Sequence, residues 1–231
     1  LLAAGGISSA GVCCSVWVLS AVGMNESRRG VPAQTHRIFI YGGVACLFMS
    51  LAVASYIVAY HPTHTCRLSL NRLERRSYDA SQAVRDAVEA DPLNSEARLY
   101  SCQAAIERWT AASPEQRPTL WDAYEAERRE AIRIRPRGAT QFSTLGKLEF
   151  TAYEAVGDAL ILELAIKDFE AAARHYPNSA QMHADLALAL KASGDEEGFS
   201  RHALRALELH EATSYFSNQL PDETREELGE K

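Results

Sequence analysis

Two kinds of apolar pattern divide this chain. No charged residue occurs from Leu1 to Met24, and none again from Ile38 to Tyr60. As helices these runs rise about 36 and 34 Å, more than the roughly 30 Å of a bilayer's hydrocarbon core. After Tyr60 the apolar positions fall three and four apart, the period of helices with one buried face. One spacing recurs there: Ala165, Phe169, Ala172 and Pro177 lie at offsets 0, 4, 7 and 12, and Ala80, Val84, Ala87 and Pro92 repeat it. Small side chains let a helix approach its partner, the larger one fills the gap between them, and the proline turns the chain away. Leu120 to Arg135 reads as a third helix of this kind, with Ala131 five before Pro136 and Tyr124 where the others carry a small residue. Phe142-x-x-Leu145-Gly146 opens a helix of the partner kind, with Gly146 expected where a paired backbone passes close by.

These offsets are those of tetratricopeptide (TPR) repeats, in which two helices form a hairpin and hairpins stack. Repeat ends at Pro92, Pro136, Pro177 and Glu211 are 44, 41 and 34 residues apart, so the first two units carry insertions. Asn94 to Ala112 reads as a first-type helix with Leu99, Ala105 and Trp109 on its apolar side, followed by a loop from Ser113 to Pro118. Asn178 is the expected N-cap of the helix carrying His183, Leu186, Ala187 and Leu190, and Gly194-Asp195 ends it and caps the next. Pro221 opens a short polar cap helix with Asp222 and Glu223 in its first turn. The expected fold is therefore all-α: a transmembrane helical hairpin in 1–60, with spans 1–24 and 38–60, and a TPR-type solenoid of about three to four helix pairs in 61–231.

A signal peptide competes with the first span, but no basic residue precedes that run and no small-x-small site follows it cleanly. In the second run, Tyr41, Tyr56 and Tyr60 stand as interface anchors, and Gly42, Cys46, Ser50 and Ala54 form a stripe of small side chains that would pack against a further transmembrane helix. Basic residues flank this run on both sides, Arg28, Arg29 and Arg37 before it and Arg67, Arg72, Arg75 and Arg76 after it. The short Arg28-Arg29 loop is placed in the cytoplasm, which sends the repeats to the periplasmic side.

The formal net charge of -6 argues against a nucleic-acid surface. Five cysteines form no CxxC; Cys13, Cys14 and Cys46 lie in apolar runs, and Cys66 and Cys102 could pair only in an oxidising compartment. His61, His64 and Cys66 have metal-ligand chemistry but match no closed zinc spacing, and His202 and His210 read as surface residues. Neither GxSxG, a Walker loop, GxGxxG nor HExxH occurs. No catalytic residue, cofactor or metal is expected in this chain. The concave face of a repeat stack normally receives a partner segment, and the register places Thr140, Ser143, Lys147 and Phe150, then Gln181, Ala184 and Leu188, along it. That face is only lightly charged; it suits a protein or peptide segment, or equally packing against the chain's own membrane region.

Two apolar runs, Ala90-Asp91-Pro92-Leu93, Arg108-Trp109, Trp121, Tyr176-Pro177-Asn178-Ser179-Ala180, His183-Ala184-x-Leu186-Ala187, Gly194-Asp195 and Gln219-Leu220-Pro221 follow in an order that resembles the C-terminal region of O-antigen ligase-type proteins of planctomycete-like bacteria. The resemblance covers essentially the whole chain. It implies a multi-pass protein of the bacterial inner membrane that joins or polymerises lipid-linked glycans, with its catalytic Arg and His residues upstream. Leu1 in place of Met agrees with a chain that begins inside a longer one. Two other readings are a non-catalytic, membrane-tethered TPR adaptor and a small subunit of a transport complex.

Overall fold

The computed structural model describes residues 34–74, 80–213 and 219–229, with side chains described from Val44 onward except those of Cys46 and Glu74. Among these residues there are helices and no strands. They form two compact units, the first ending at Pro92 and the second beginning at Leu93.

In the first unit, α1 (Gln34–Ser55) continues through a π-turn (Tyr56–Tyr60) directly into α2 (His61–Glu74), and α2 packs against α3 (Ala80–Ala90). The helix was expected to stop at His61-Pro62; instead it runs through, with the His61 N–H donating to Tyr56 five residues back. Pro62 cannot donate and its ring crowds the preceding turn, and the widened π-turn makes room for it. Thr63 Oγ1 then donates to the Ala59 carbonyl at 2.9 Å. In α2, Cys66, Ser69 and Leu70 are buried, while His61 and His64 are exposed and lie against Tyr56 and Tyr60, so the three expected metal-type residues do not face one point. The stretch after Tyr60 is thus the first helix of a pair.

The first expected span, 1–24, lies outside the described residues. The second, 38–60, falls in α1 and the π-turn, and among the described residues no helix is long and apolar enough to cross a membrane. Of the small-residue stripe, Ser50 and Ala54 are exposed.

The second unit stacks α4 (Ser95–Ala111) with α5 (Arg117–Ile134), α6 (Ala139–Val156) with α7 (Ala159–His175), and α8 (Ala180–Ser193) with α9 (Glu196–Ala212), and adds α10 (Asp222–Leu228). Alternate helices α4, α6 and α8 also touch in succession, and α10 rests on α8. Helix α5 begins inside the expected Ser113–Pro118 loop, with Pro118 in its first turn. Caps are local and mostly where the residues imply: Asn94 accepts from Glu96 and Ala97, Asp195 from Gly198, and Gly194 takes φ +82°. One is displaced by a residue, since Ser179 rather than Asn178 accepts from the Met182 N–H.

The layers are held by what the offsets describe. Ala165, Phe169 and Ala172 are essentially fully buried in α7, and the Phe169 ring lies on Gly146 of α6, where an added Cβ would meet ring carbons at 2.8 Å. The close approach expected at Gly146 is thus to an aromatic ring, not to the neighbouring backbone. Between α4 and α5, Trp109, Trp121 and Tyr124 form an aromatic ladder with centroids 5.7 and 5.2 Å apart. Leu220 and Leu228 close the far end over Ala184, Ala187 and Ala206.

Candidate functional site

The face built from α4, α6 and α8 brings together part of the expected binding set. Asp185 of α8, absent from that set, is its centre: Lys147 Nζ reaches Asp185 Oδ2 at 3.1 Å, Ser143 Oγ donates to the same oxygen at 3.4 Å, and Gln181 Nε2 donates to Oδ1 at 2.8 Å. Three of the seven expected residues therefore converge on one carboxylate that ties α6 to α8. Thr140 is exposed at the start of α6, and Phe150 is half-buried beside Tyr153. Ala184 is fully buried and Leu188 packs with it against the cluster that includes Leu220 and Leu228, so neither belongs to an open surface. Helix α10 and the preceding α9 together cover this side of α8.

Between α4 and α6 the same face opens into a groove of about 270 Å³, lined by Glu96, Leu99, Tyr100, Gln103, Thr144 and Leu148. Leu99 and Leu148 also pack on the core beneath, giving the groove an apolar floor with a polar rim. Of the α4 residues only Leu99 was named from sequence, as part of the apolar side and not as a binding position, although the i, i+3, i+4, i+7 spacing from Glu96 was available to mark one helix face.

Behind this face lies a buried polar cluster. Tyr124 of α5 donates to Glu149 Oε1 of α6 at 2.6 Å, Arg128 Nε donates to the same oxygen at 3.0 Å, and the Arg128 guanidinium also holds both oxygens of Asp168 on α7. Glu149 is fully buried and its Oε2 has no hydrogen-bond partner. Burial, then the nearby Asp168, pushes Glu149 up to about 8. Burial raises Asp168 as well, but two guanidinium nitrogens donate to it, so one cation is matched by Asp168 and the proton rests on Glu149. Burial likewise holds Tyr124 well above its usual range and lifts the Cys102 thiol to about 12. Cys66 and Cys102 are separate buried thiols, not a disulfide. Groups held this firmly protonated suit a structural joint between three helices.

His202 faces inward, contrary to the surface position expected for it. Its Nδ1 lies 3.0 Å from Nδ1 of His183, whose Nε2 is 3.0 Å from the Pro177 carbonyl. That carbonyl can only accept, so His183 carries its proton on Nε2 and His202 donates through Nδ1. Burial lowers both imidazoles, and His183 further discourages a proton on His202. His210 Nδ1 accepts from the Leu220 N–H at 2.9 Å, pinning the segment that leads into α10.

No protein-family model and no curated protein matches this chain. Solved structures do: a MamA structure from AMB-1 is 17% identical over 71% of this chain and 90% of that one, with a TM-score of 0.48. A second MamA crystal structure is 16% identical over 78% and 94%, also at 0.48. A structure of pilF from Pseudomonas aeruginosa is 20% identical over 73% and 88%, at 0.27. The assignment of repeats rests on this chain's own contacts: helix pairs, contact between alternate helices, and a proline after each of α3, α5 and α7. The described helices form a TPR-like helical repeat fold.

Proposed function

We propose that this chain is a membrane-tethered protein-interaction domain whose α4–α6–α8 face binds a segment of a partner protein. The supporting observation is the groove with an apolar floor and hydrogen-bonding rim, next to the ordered Ser143–Lys147–Gln181–Asp185 set. Apolar pockets with a few placed polar groups are where binding energy and orientation are combined. Photo-crosslinking residues at Gln103 and at Thr140 are expected to capture a partner protein, while the same residue at the exposed α5 positions Glu125 and Arg129 captures none. Equal capture at the α5 positions would sink the assignment of the face.

Support for the tether comes from α1 and the π-turn, where Leu47, Met49, Leu51, Val53, Ile57 and Val58 are all at least half exposed and lie on opposite sides of the helix. A helix apolar all round is stable when buried in a core or in lipid. The proposed location is the bacterial inner membrane with the repeats in the periplasm, and the order of sequence blocks favours the tail of an O-antigen ligase-type protein over a free-standing adaptor. The chain is expected to stay with phospholipid vesicles through an alkaline carbonate wash. Its release into the supernatant would refute the tether and leave the binding face standing.

A further inference from the structure

The groove between α4 and α6 carries information about what it binds. Its volume of about 270 Å³ falls below the roughly 300–1,000 Å³ of small-molecule sites, so it holds a side chain and not a cofactor. Its floor, Leu99, Tyr100 and Leu148, requires that side chain to be apolar. Its ends are acidic. Glu96 lines one end, and at the other Gln103 Nε2 donates to Glu107 Oε1 at 2.9 Å. Glu96 and Glu107 are both exposed and, eleven residues apart on α4, lie on one face about 16 Å apart along the axis.

The cations on these two helices are already engaged. Arg98 pairs with Glu127 at 3.2 Å, Lys147 pairs with Asp185 at 3.1 Å, and Arg108 Nε donates to the Ala104 carbonyl at 2.9 Å. The groove therefore presents negative charge at both ends of an apolar slot, and the complementary ligand reverses that order. We infer that the α4–α6 groove binds a basic segment of a partner protein, inserting one large apolar side chain between lysine or arginine residues that meet Glu96 and Glu107. This deepens the proposed binding face and rests on it. Exposed charges of this kind set selectivity and approach rate, while the apolar anchor supplies the affinity.

The test uses the whole 231-residue chain in mild detergent and three labelled twelve-residue helical peptides: one with Lys at positions 1 and 12 and a single Leu at 5, one with Glu for both Lys, and one with Ala for the Leu. By fluorescence anisotropy the basic peptide is expected to bind at least tenfold more tightly than either of the others, with the margin shrinking as salt is added. Leu148→Glu should abolish binding, and Glu96→Lys with Glu107→Lys should transfer the preference to the acidic peptide. Equal binding of basic and acidic peptides, or no effect of the double reversal, overturns the inference. So does failure of all three to bind, or a concentration-dependent dimer that Leu148→Glu dissolves, which would make a second copy the occupant. Crosslinking at Gln103 that persists through any of the peptide failures would show that the binding face stands without the basic ligand.

Discussion

Replacing Arg128 by methionine is expected to destabilise the second unit by about 3–5 kcal/mol, because one guanidinium serves two buried carboxyl groups on different helices. For a unit of this size that corresponds to a fall in melting temperature of roughly 6–20 °C. The loss comes from stranding Asp168 and the Tyr124–Glu149 pair without the charge that satisfies them, so it should be largely recovered when Asp168→Asn and Glu149→Gln are added. If the triple variant melts no higher than Arg128→Met alone, the loss reflects packing of the arginine stem and not charge. Glu149 gives the cluster a pH signature. Burial pushes its carboxyl up to about 8 in the folded state, from an ordinary 4.5. Its contribution is therefore complete below about 4.5 and lost as pH rises through about 8, because the unfolded chain ionises over that range while the folded state keeps its proton, and above it the folded state carries a buried carboxylate. Glu149→Gln should match the parent near pH 4 and exceed it by a margin that grows up to about pH 8 and is fully present at pH 9, in denaturant midpoint. An unchanged difference between the two pH values would mean that Glu149 is ionised throughout.

Phe169→Ala should cost about 3–5 kcal/mol, the range for deleting a fully buried aromatic ring. The same contact can be attacked from the other side. Gly146→Ala places a methyl group 2.8 Å from two ring carbons; such overpacking costs about 1–3 kcal/mol, offset by about 1 kcal/mol from better helix propensity. With the ring gone, the methyl group has room and the propensity gain remains. The double variant Gly146→Ala, Phe169→Ala is therefore expected to be more stable than Phe169→Ala alone by about 1 kcal/mol. Urea midpoints of the four proteins give the coupling directly, and strict additivity would mean that glycine and ring do not meet as described.

These two sites differ in how far the residues announce them. Gly146 and Phe169 could be placed on facing helices from their offsets, because each helix buries small and large residues at intervals fixed by its 3.6-residue turn. Arg128, Glu149 and Asp168 look like ordinary solvated charges when read along the chain. Their partners are 21 and 40 residues away, and only the stacking of three helices makes them neighbours. Tyr124 is intermediate: its place in a position usually held by a small residue was visible, but not that its hydroxyl would reach Glu149.

The same division holds for the binding face and the tether. Ser143, Lys147 and Gln181 were assigned to one face by register alone, and they do converge, because helical period fixes which side chains share a side. Asp185 as their common partner, and Ala184 and Leu188 as core residues under Leu220 and Leu228, depended on how α6 and α10 dock against α8. By itself the sequence determined which segments are helical, which residues let the helices approach, and which runs are apolar, since each is set by backbone and side-chain chemistry within a few positions. Only the tertiary structure decided that the helix continues past Pro62 and that a proton is held on Glu149. It also decided that α4 contributes one wall of the groove. Those outcomes depend on contacts between distant segments, whose energies do not exist until the helices have packed.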